Sequence, residues 1–488
     1  LNILEKQSRI ALFDRIHRES DGVPIFARLI DSETVRLLKF LINENSSVLD
    51  LGCGDGHILA ALNPSRGVGV DCSETAILKA KKNYPGFEFI KADVEAEIPV
   101  EGTFDYVLLS DVIGDFLDVW DVFHNLKKFC GPDTRIIVTY YNKLWDPAVT
   151  LATWLLLRHP TVDKNWFSLY DMQTFLGLNG FQTVTTGSRI FCPLHIPFVA
   201  AFLNRVIAKF PFFRLFNFLT YAVARIIPQK GEKKSQSKSV TVVVPTRNEK
   251  GNIQGVVERT PELGAHTEIL FVDGDSTDGT VEEILKYQEL FKGQKDIKLI
   301  HQVPPNSEPQ TKKMLKLGKG DAVRKGFKQA SGEILMILDA DITVSPVELS
   351  KFYMTIAEGH AEFINGNRLS YPLEKDSMQF LNLTANHLFG ILFTWILGQR
   401  IKDTLCGTKV LTKNAYERIA ANRAYFGDFD PFGDFDLLFG AAKQNLKITD
   451  LPVRYYARTY GDIKVERFKH GVLLLKMCWF AFKRFKLQ

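Results

Sequence analysis

The stretch Pro228-Gln-Lys-Gly-Glu-Lys-Lys-Ser-Gln-Ser-Lys-Ser239 constrains this chain most. It is rich in lysine and serine and has no aliphatic or aromatic side chain, so no core can hold it and it reads as a solvated linker. An apolar strand, Val240 to Val244, follows at once. At 488 residues the chain is too long for one core, and the linker divides it. Short apolar runs alternate with helix-prone segments on both sides, which predicts a parallel α/β sheet in each half. No solenoid repeat is present. The local duplication is Phe426-Gly-Asp-Phe-Asp430, then Pro431 and Phe432-Gly-Asp-Phe-Asp436.

Composition narrows the function classes. Hydrophobic residues make up 45% and charged residues 24%, the proportions of a globular protein with no disordered bulk. The formal net charge is only +5, so the basic excess is local. Basic residues cluster with long apolar runs rather than on a polar face, which argues against a nucleic-acid partner. The cysteines at 53, 72, 130, 192, 406 and 478 form no C-x-x-C pair and no zinc-like spacing. That scatter, with no signal peptide after Leu1, predicts a reduced, cytosol-facing protein.

In the first half, Ser47-Val-Leu-Asp-Leu-Gly-Cys-Gly-Asp-Gly-His57 reads as a strand running into Gly52, Gly54 and Gly56, then a helix from Ile58. Glycines so spaced let the backbone turn sharply and approach a ligand at a helix N-terminus. The next strand, Gly67 to Asp71, ends in an acid suited to a ribose diol. Phe87 to Asp93 and Phe104 to Asp111 read as the third and fourth strands. The dinucleotide fingerprint G-x-G-x-x-G is not matched, because the pattern is G-x-G-x-G preceded by Asp50.

Residues 25–190 resemble the class I S-adenosylmethionine-dependent methyltransferases, which are Rossmann-like. The resemblance implies that Gly52 and Gly54, with Cys53 between them, pass close to the methionine part of the cofactor. It implies Asp50 orienting the glycine loop, Asp71 on the ribose hydroxyls, Asp93 at the adenine, and Ser110 with Asp111 on the methyl-donor side. No N-P-P-Y-type motif, cysteine nucleophile or His/Asp dyad marks a methyl acceptor. His57, His124 and His195 stand alone and read as structural.

Four ordered blocks mark the second half. Val240 to Glu249 is a buried strand with a polar exit, and Glu268 to Thr280 is a strand with an acidic, glycine-rich exit. Lys319 to Phe327 opens an amphipathic helix. Gly332 to Leu338 is an apolar run ending in Asp339-Ala340-Asp341, two carboxylates able to hold a hard divalent cation that bridges to substrate phosphates.

This order and spacing resemble the family 2 GT-A glycosyltransferases over residues 240–470, with the polyprenyl-phosphate sugar synthases nearest. The resemblance implies Pro245, Arg247 and Glu249 lining a nucleotide pocket, Asp273 facing the base with Asp275 beside it, and Lys319 near the nucleotide. It makes Asp339 and Asp341 the metal ligands, puts Arg368 on the sugar-diphosphate, and gives Arg458 and Lys464 to a basic loop clamping phosphate. Three positions depart from the family pattern. Gly274 stands where D-D-x-S has its second carboxylate, Thr343 where a metal-ligating Gln is common, and Cys406 in a turn of small residues. Transfer to a hydroxyl needs a base, for which Asp434 and Asp436 are the candidates, while transfer to a phosphate needs none. Asp434 alternatively caps a helix starting near Phe435.

Residues 192–228 are apolar and aromatic, carry Arg205, Lys209, Arg214 and Arg225, and contain no acid. The C-terminal run, Phe468 to Gln488, repeats the theme. Both suit helices lying in a headgroup plane. Residues 377–399 carry no charged side chain and read as an acceptor-side amphipathic helix against the membrane.

The expected organisation is a methyltransferase-like domain over 1–190, a basic apolar membrane-surface segment and linker over 191–239, a GT-A domain over 240–470 and a basic amphipathic tail over 471–488. The expected activity is inverting transfer of a sugar from a nucleotide-diphosphate donor to a polyprenyl phosphate or lipid-linked glycan. It uses Mg²⁺ or Mn²⁺ at the cytoplasmic face of a membrane. A methyltransferase using S-adenosylmethionine accompanies it. The alternative is transfer to a glycan hydroxyl, with the N-terminal domain a silent binding module.

Overall fold

The computed structural model describes residues 3–19, 25–154, 165–194, 196, 198–228, 237–303, 318–372, 380–425, 433–460 and 467–487. It divides into two compact units: Leu1–Ile227 with Phe482–Gln488, and Pro228–Ala481. Most of the expected linker, residues 229–236, lies outside the described residues, and the boundary falls at its first residue.

The first unit is built on seven strands: β1 Ser47–Leu51, β2 Arg66–Asp71, β3 Glu88–Lys91, β4 Phe104–Ser110, β5 Cys130–Tyr141, β6 Phe181–Arg189 and β7 Leu219–Ile226. They lie in the order β3-β2-β1-β4-β5-β7-β6. β1 to β5 run parallel, and β7 is antiparallel to both its neighbours. Buried apolar clusters cover both faces, one around Val107, Phe123 and Leu126, the other around Leu38, Leu108 and Tyr221. A sheet covered on both faces needs near-continuous apolar strands, and Val48, Leu49 and Leu51 of β1 are fully buried. The order reverses beside β1, and the crevice at the carboxyl ends of β1 and β4 is where a doubly wound sheet binds ligand.

The segment 191–239 departs from the expected in-plane helix. Among its described residues only Val199–Arg205 is α-helical, followed by the short turns Ile207–Lys209 and Phe213–Phe216. Leu219–Ile226 is β7, hydrogen-bonded on both edges and buried except at its last residue. The sheet satisfies this segment's backbone polar groups, which a lone apolar segment could not do in a core. Lys209 and Arg225 are buried with it.

The second unit carries β8 Val240–Thr246, β9 Thr267–Asp273, β10 Asp296–His301, β11 Ile334–Ile337, β12 Phe363–Asn367, β13 Lys409–Thr412 and β14 Ile448–Pro452. Their order is β10-β9-β8-β11-β13-β12-β14. β8 runs parallel to β9 and β11, and β13 is antiparallel to β11 and β12. β11 is thus central, and its four apolar residues are fully buried. The chain then leaves the sheet through Leu338, so Asp339 and Asp341 emerge at its carboxyl edge. The sheet is mixed rather than wholly parallel, because β13 turns back beside β11.

The expected helix of 377–399 is Phe380–Leu397, and the tail forms Arg467–Lys486. Among the described residues no helix is long and apolar enough to cross a membrane.

Candidate active sites

Local sequence builds the first site. Gly52, Gly54 and Gly56 all have positive φ (80°, 54° and 79°), the left-handed backbone that glycine takes without strain. A Cβ at Gly52 would collide with Val112, and one at Gly56 would lie 2.6 Å from Phe89. Gly54 N donates to Asp71 Oδ2 at 2.9 Å, and Ser73 N donates to Asp71 Oδ1 at 2.8 Å. The bond that pins the glycine turn therefore comes from Asp71. Asp50, expected in that role, is buried, and its Oδ1 has no partner among the described residues. Burial pushes its carboxyl up to about 7, with the Asp71 charge adding and His57 opposing.

A cavity brings the expected residues Gly52, Gly54, Asp71, Asp93, Ser110 and Asp111 together. Asp93 Oδ1 accepts from Glu95 N at 2.9 Å, and Ser110 Oγ lies 3.3 Å from Thr139 Oγ1. Cys53 is buried, which raises its thiol far above the usual range and leaves it a packing group. Sequence reasoning missed the helix Ile3–Glu19, whose Lys6, Arg9, Phe13 and His17 line the same cavity. Lys6 pairs with Asp93, Arg9 donates to Asp115 O at 3.1 Å, and Ser73 Oγ donates to Asp14 at 2.6 Å. That helix is polar overall with only a weak apolar face, so the sequence carried no signal for it. The cavity combines a glycine-lined wall, a ribose-type acid and the aromatic Phe13, and this donor set fits S-adenosylmethionine.

In the second unit, the exits of β8 and β9 are laced together. Asn248 N donates to Ser276 Oγ (3.0 Å), Thr277 N to Asn248 Oδ1 (2.8 Å) and Glu249 N to Thr280 Oγ1 (2.9 Å). Asp273 is buried at the end of β9. Its Oδ2 accepts from Asp275 N (3.1 Å) and Ser276 N (3.3 Å), while its Oδ1 has no partner among the described residues. An orphaned buried acceptor suits the N–H edge of a nucleobase. Gly274 has a structural reason: a Cβ there would lie 2.8 Å from Gln302 Oε1, whose amide bonds Asp321. Pro245 is half-buried at the end of β8, Glu249 is buried, and Arg247 is exposed.

Past β11, each carboxylate meets a cation. Lys319, first residue of the helix Lys319–Gln329, lies 2.6 Å from Asp339 Oδ1. Arg458 lies 2.5 Å from Asp341 Oδ2 and 3.9 Å from Glu249 Oε1. Burial alone would raise Asp339; the Lys319 ammonium outweighs it and holds the carboxyl below its usual range. Asp341 Oδ1 accepts from Thr343 Oγ1 at 2.9 Å, so Thr343 steadies the ligand next to it. Gly407 was not foreseen. A Cβ there would collide with the Asp339 carboxylate and the Lys319 ammonium, so the backbone closes one side of the acid pair. Cys406 beside it is buried, and its Sγ would lie 2.6 Å from a Cβ at Gly366. It fills core.

Among the described residues no cluster of three or more Asp, Glu, His or Cys could hold a metal. Two hard carboxylates nonetheless fit Mg²⁺ or Mn²⁺ when phosphate and water oxygens complete the shell, the usual mode for Mg²⁺ at nucleotide sites.

Arg368 acts on Asp339 through its charge. It forks onto Asp403, with Nε to Oδ2 at 2.7 Å and Nη2 to Oδ1 at 2.9 Å, and Asn386 adds a third bond at 2.7 Å. Burial would raise Asp403, but the guanidinium holds it far below the usual range. Asp436 is buried against Arg423 at 2.8 Å. Asp434 is the first residue of the helix Asp434–Lys443, whose N-cap is Gly433. Lys464 and His195 lie outside the described residues.

The family model for glycosyl transferase family 2 matches residues 241–420, and the model for a methyltransferase domain matches residues 25–186. The chain is 26% identical over 238 residues to glycosyltransferase AglJ of Haloferax volcanii, a match covering 48% of this chain and 69% of the relative. It is 27% identical over 236 residues to a dolichol-phosphate mannosyltransferase of Pyrococcus furiosus, covering 46% and 59%. The chain thus spans from just under three fifths to just over two thirds of these relatives. Among solved structures, a SAM-dependent methyltransferase from Aquifex aeolicus is 16% identical, covering 44% of this chain and 98% of that one at a TM-score of 0.32. By its two family matches, this chain joins an N-terminal methyltransferase domain to a C-terminal glycosyltransferase family 2 domain.

Proposed function

We propose that the second unit moves a sugar, with inversion, from a nucleotide-diphosphate donor to a polyprenyl phosphate or another lipid-linked acceptor at a membrane surface. The carrying observation is the alternation of charge past β11: Asp339 with Lys319, and Asp341 with Arg458. A divalent cation held by Asp339 and Asp341 would neutralise the departing diphosphate. Lys319 and Arg458 would then exchange carboxylate for phosphate oxygens, as charge-assisted donors readily do. Asp273 Oδ1 would take an N–H of the base, and the Gly407 backbone would keep Asp339 facing the phosphates.

The acceptor reading rests on chemistry and on relatives. A phosphate oxygen is already anionic and needs no base. Asp436, one of the two base candidates, is committed to Arg423. Relatives named as dolichol-phosphate mannosyltransferases and a dolichyl-phosphate β-glucosyltransferase support a polyprenyl-phosphate acceptor. A membrane surface is supported by exposed apolar residues on two helices of this unit: Leu388 and Ile391, and Val472, Leu475 and Trp479. The first unit would bind S-adenosylmethionine and methylate the same glycan or lipid product, with Asp71 on the ribose.

A donor screen tests the transferase reading. Nucleotide-diphosphate release from UDP- and GDP-sugars should depend on Mg²⁺ or Mn²⁺, rise with polyprenyl phosphate, and vanish in Asp341→Asn. Release that polyprenyl phosphate leaves unchanged, but that Asp436→Asn abolishes, would replace the phosphate acceptor with a hydroxyl. Calorimetric titration with S-adenosylmethionine tests the first unit, where absence of binding would remove the methyltransferase assignment.

A further inference from the structure

Part of the first unit is built inside out. In the helix Val199–Arg205 the polar Asn204 is buried, while Val199 and Phe202 face solvent. Helices on globular proteins turn their apolar stripe to the core, so this one reverses the ordinary arrangement. Asn204 is fixed inward by Cys192, accepting from its N–H at 2.7 Å and donating to its carbonyl at 2.8 Å. Phe198, the N-cap of the helix, has φ 61°, a left-handed backbone that strains a bulky residue, and is 91% exposed.

The turn that follows repeats the pattern. Asn217 is fully buried and donates to Ala208 O at 2.8 Å. Asn142 Nδ2 donates to Leu215 O and Trp145 Nε1 to Phe216 O, both at 2.9 Å. Backbone carbonyls are thus satisfied from the protein side, and Phe212, Leu215 and Phe216 are left exposed. Rings tie the turn to the helix. Phe191, next to Cys192, meets Phe213 edge-on at 5.4 Å, and Phe213 meets Phe212 edge-on at 5.3 Å.

Clustered exposed apolar side chains mark an interaction surface, and the charges around them choose the partner. Residues 192–228 contain no acid, and the exposed Arg205 follows Phe202 by three residues, on the same side of the helix. Phenylalanine and leucine accompanied by arginine and no carboxylate match the acyl boundary and negative headgroups of a bilayer.

We propose that residues 198–216 form a docking face by which the first unit itself enters the surface of an anionic bilayer. None of them lines the methyltransferase cavity. The helices that support a membrane surface for sugar transfer carry their exposed residues in the second unit, so this face stands or falls apart from that reading.

The full-length chain is sedimented with phosphatidylcholine vesicles with and without phosphatidylglycerol. Binding should be stronger with phosphatidylglycerol. Phe202→Glu with Phe212→Glu should weaken it about tenfold, because two apolar rings leave the interface. The melting temperature should hold, since both rings are exposed. Arg205→Glu should weaken binding about fivefold on the anionic vesicles and leave binding to phosphatidylcholine alone unchanged. The face is overturned if the wild type sediments with neither vesicle, or if the folded variants bind as fully as the wild type, which leaves docking to the second unit. It is also overturned if light scattering without lipid finds the wild type dimeric and the phenylalanine variant monomeric, which makes it an interface between copies. Arg205→Glu keeps the test open should the phenylalanine variant fail to fold.

Discussion

Arg368 and Asp403 hold each other through two bonds inside 3 Å, both side chains largely out of solvent. Breaking a buried pair leaves a bare charge, so Arg368→Gln should destabilise the second unit by about 3–5 kcal/mol, read by urea unfolding. Lost sugar transfer with unchanged stability would return Arg368 to the donor. Gly407 makes the opposite kind of prediction. Gly407→Ala pushes a methyl into Asp339 and Lys319, so turnover should fall about 100-fold while the fold persists, measured as nucleotide-diphosphate release with circular dichroism as control. Asp50 predicts a pH effect. Its folded pKa, about 7, lies above the unfolded value of 3.8, so the native state binds more protons between the two. Stability of the first unit should therefore fall as pH rises from roughly 4 to roughly 7, by a few kcal/mol at most. Asp50→Asn should flatten that slope in unfolding at pH 5 against pH 7.5.

At the scale of elements, strand identity followed from apolar runs and their punctuation, which are local. β1, β2, β4, β8, β9 and β11 lie where those runs predict. β7 was not legible as a strand, because its partners β5 and β6 come from earlier sequence and its composition equally suits a surface helix. The helix Arg467–Lys486 has a divided character. Leu474, Met477, Cys478 and Ala481 are buried, while Val472, Leu475 and Trp479 are exposed. Leu475→Glu with Trp479→Glu should leave the unfolding free energy within about 1 kcal/mol, as exposed changes do, and reduce sedimentation with vesicles. Unchanged sedimentation would remove this helix from the membrane surface.

Over the whole molecule, the last turn of the helix Arg467–Lys486 packs with the first unit rather than the second. Phe482–Gln488 count with the first unit, and Phe485 sets its ring edge-on to Phe40 at 5.9 Å between centroids. Deleting Phe482–Gln488 should lower the melting temperature of the first unit, since burying one Phe is worth about 1.5–3 kcal/mol. Sugar transfer by the second unit should persist, and differential scanning calorimetry with a release assay checks both. Two α/β units, the glycine turn at Gly52, Asp71 and the acid pair at Asp339 were determined by the sequence itself. Each rests on bonds and turns spanning a few residues, so each writes itself into local spacing. The tertiary structure alone decided that Asp71 pins Gly54, that Arg368 serves Asp403, that Gly407 closes on Asp339, and that the last residues return to the first unit. These partners lie from 17 to several hundred residues apart, and distance in space has no periodicity along the chain to reveal it.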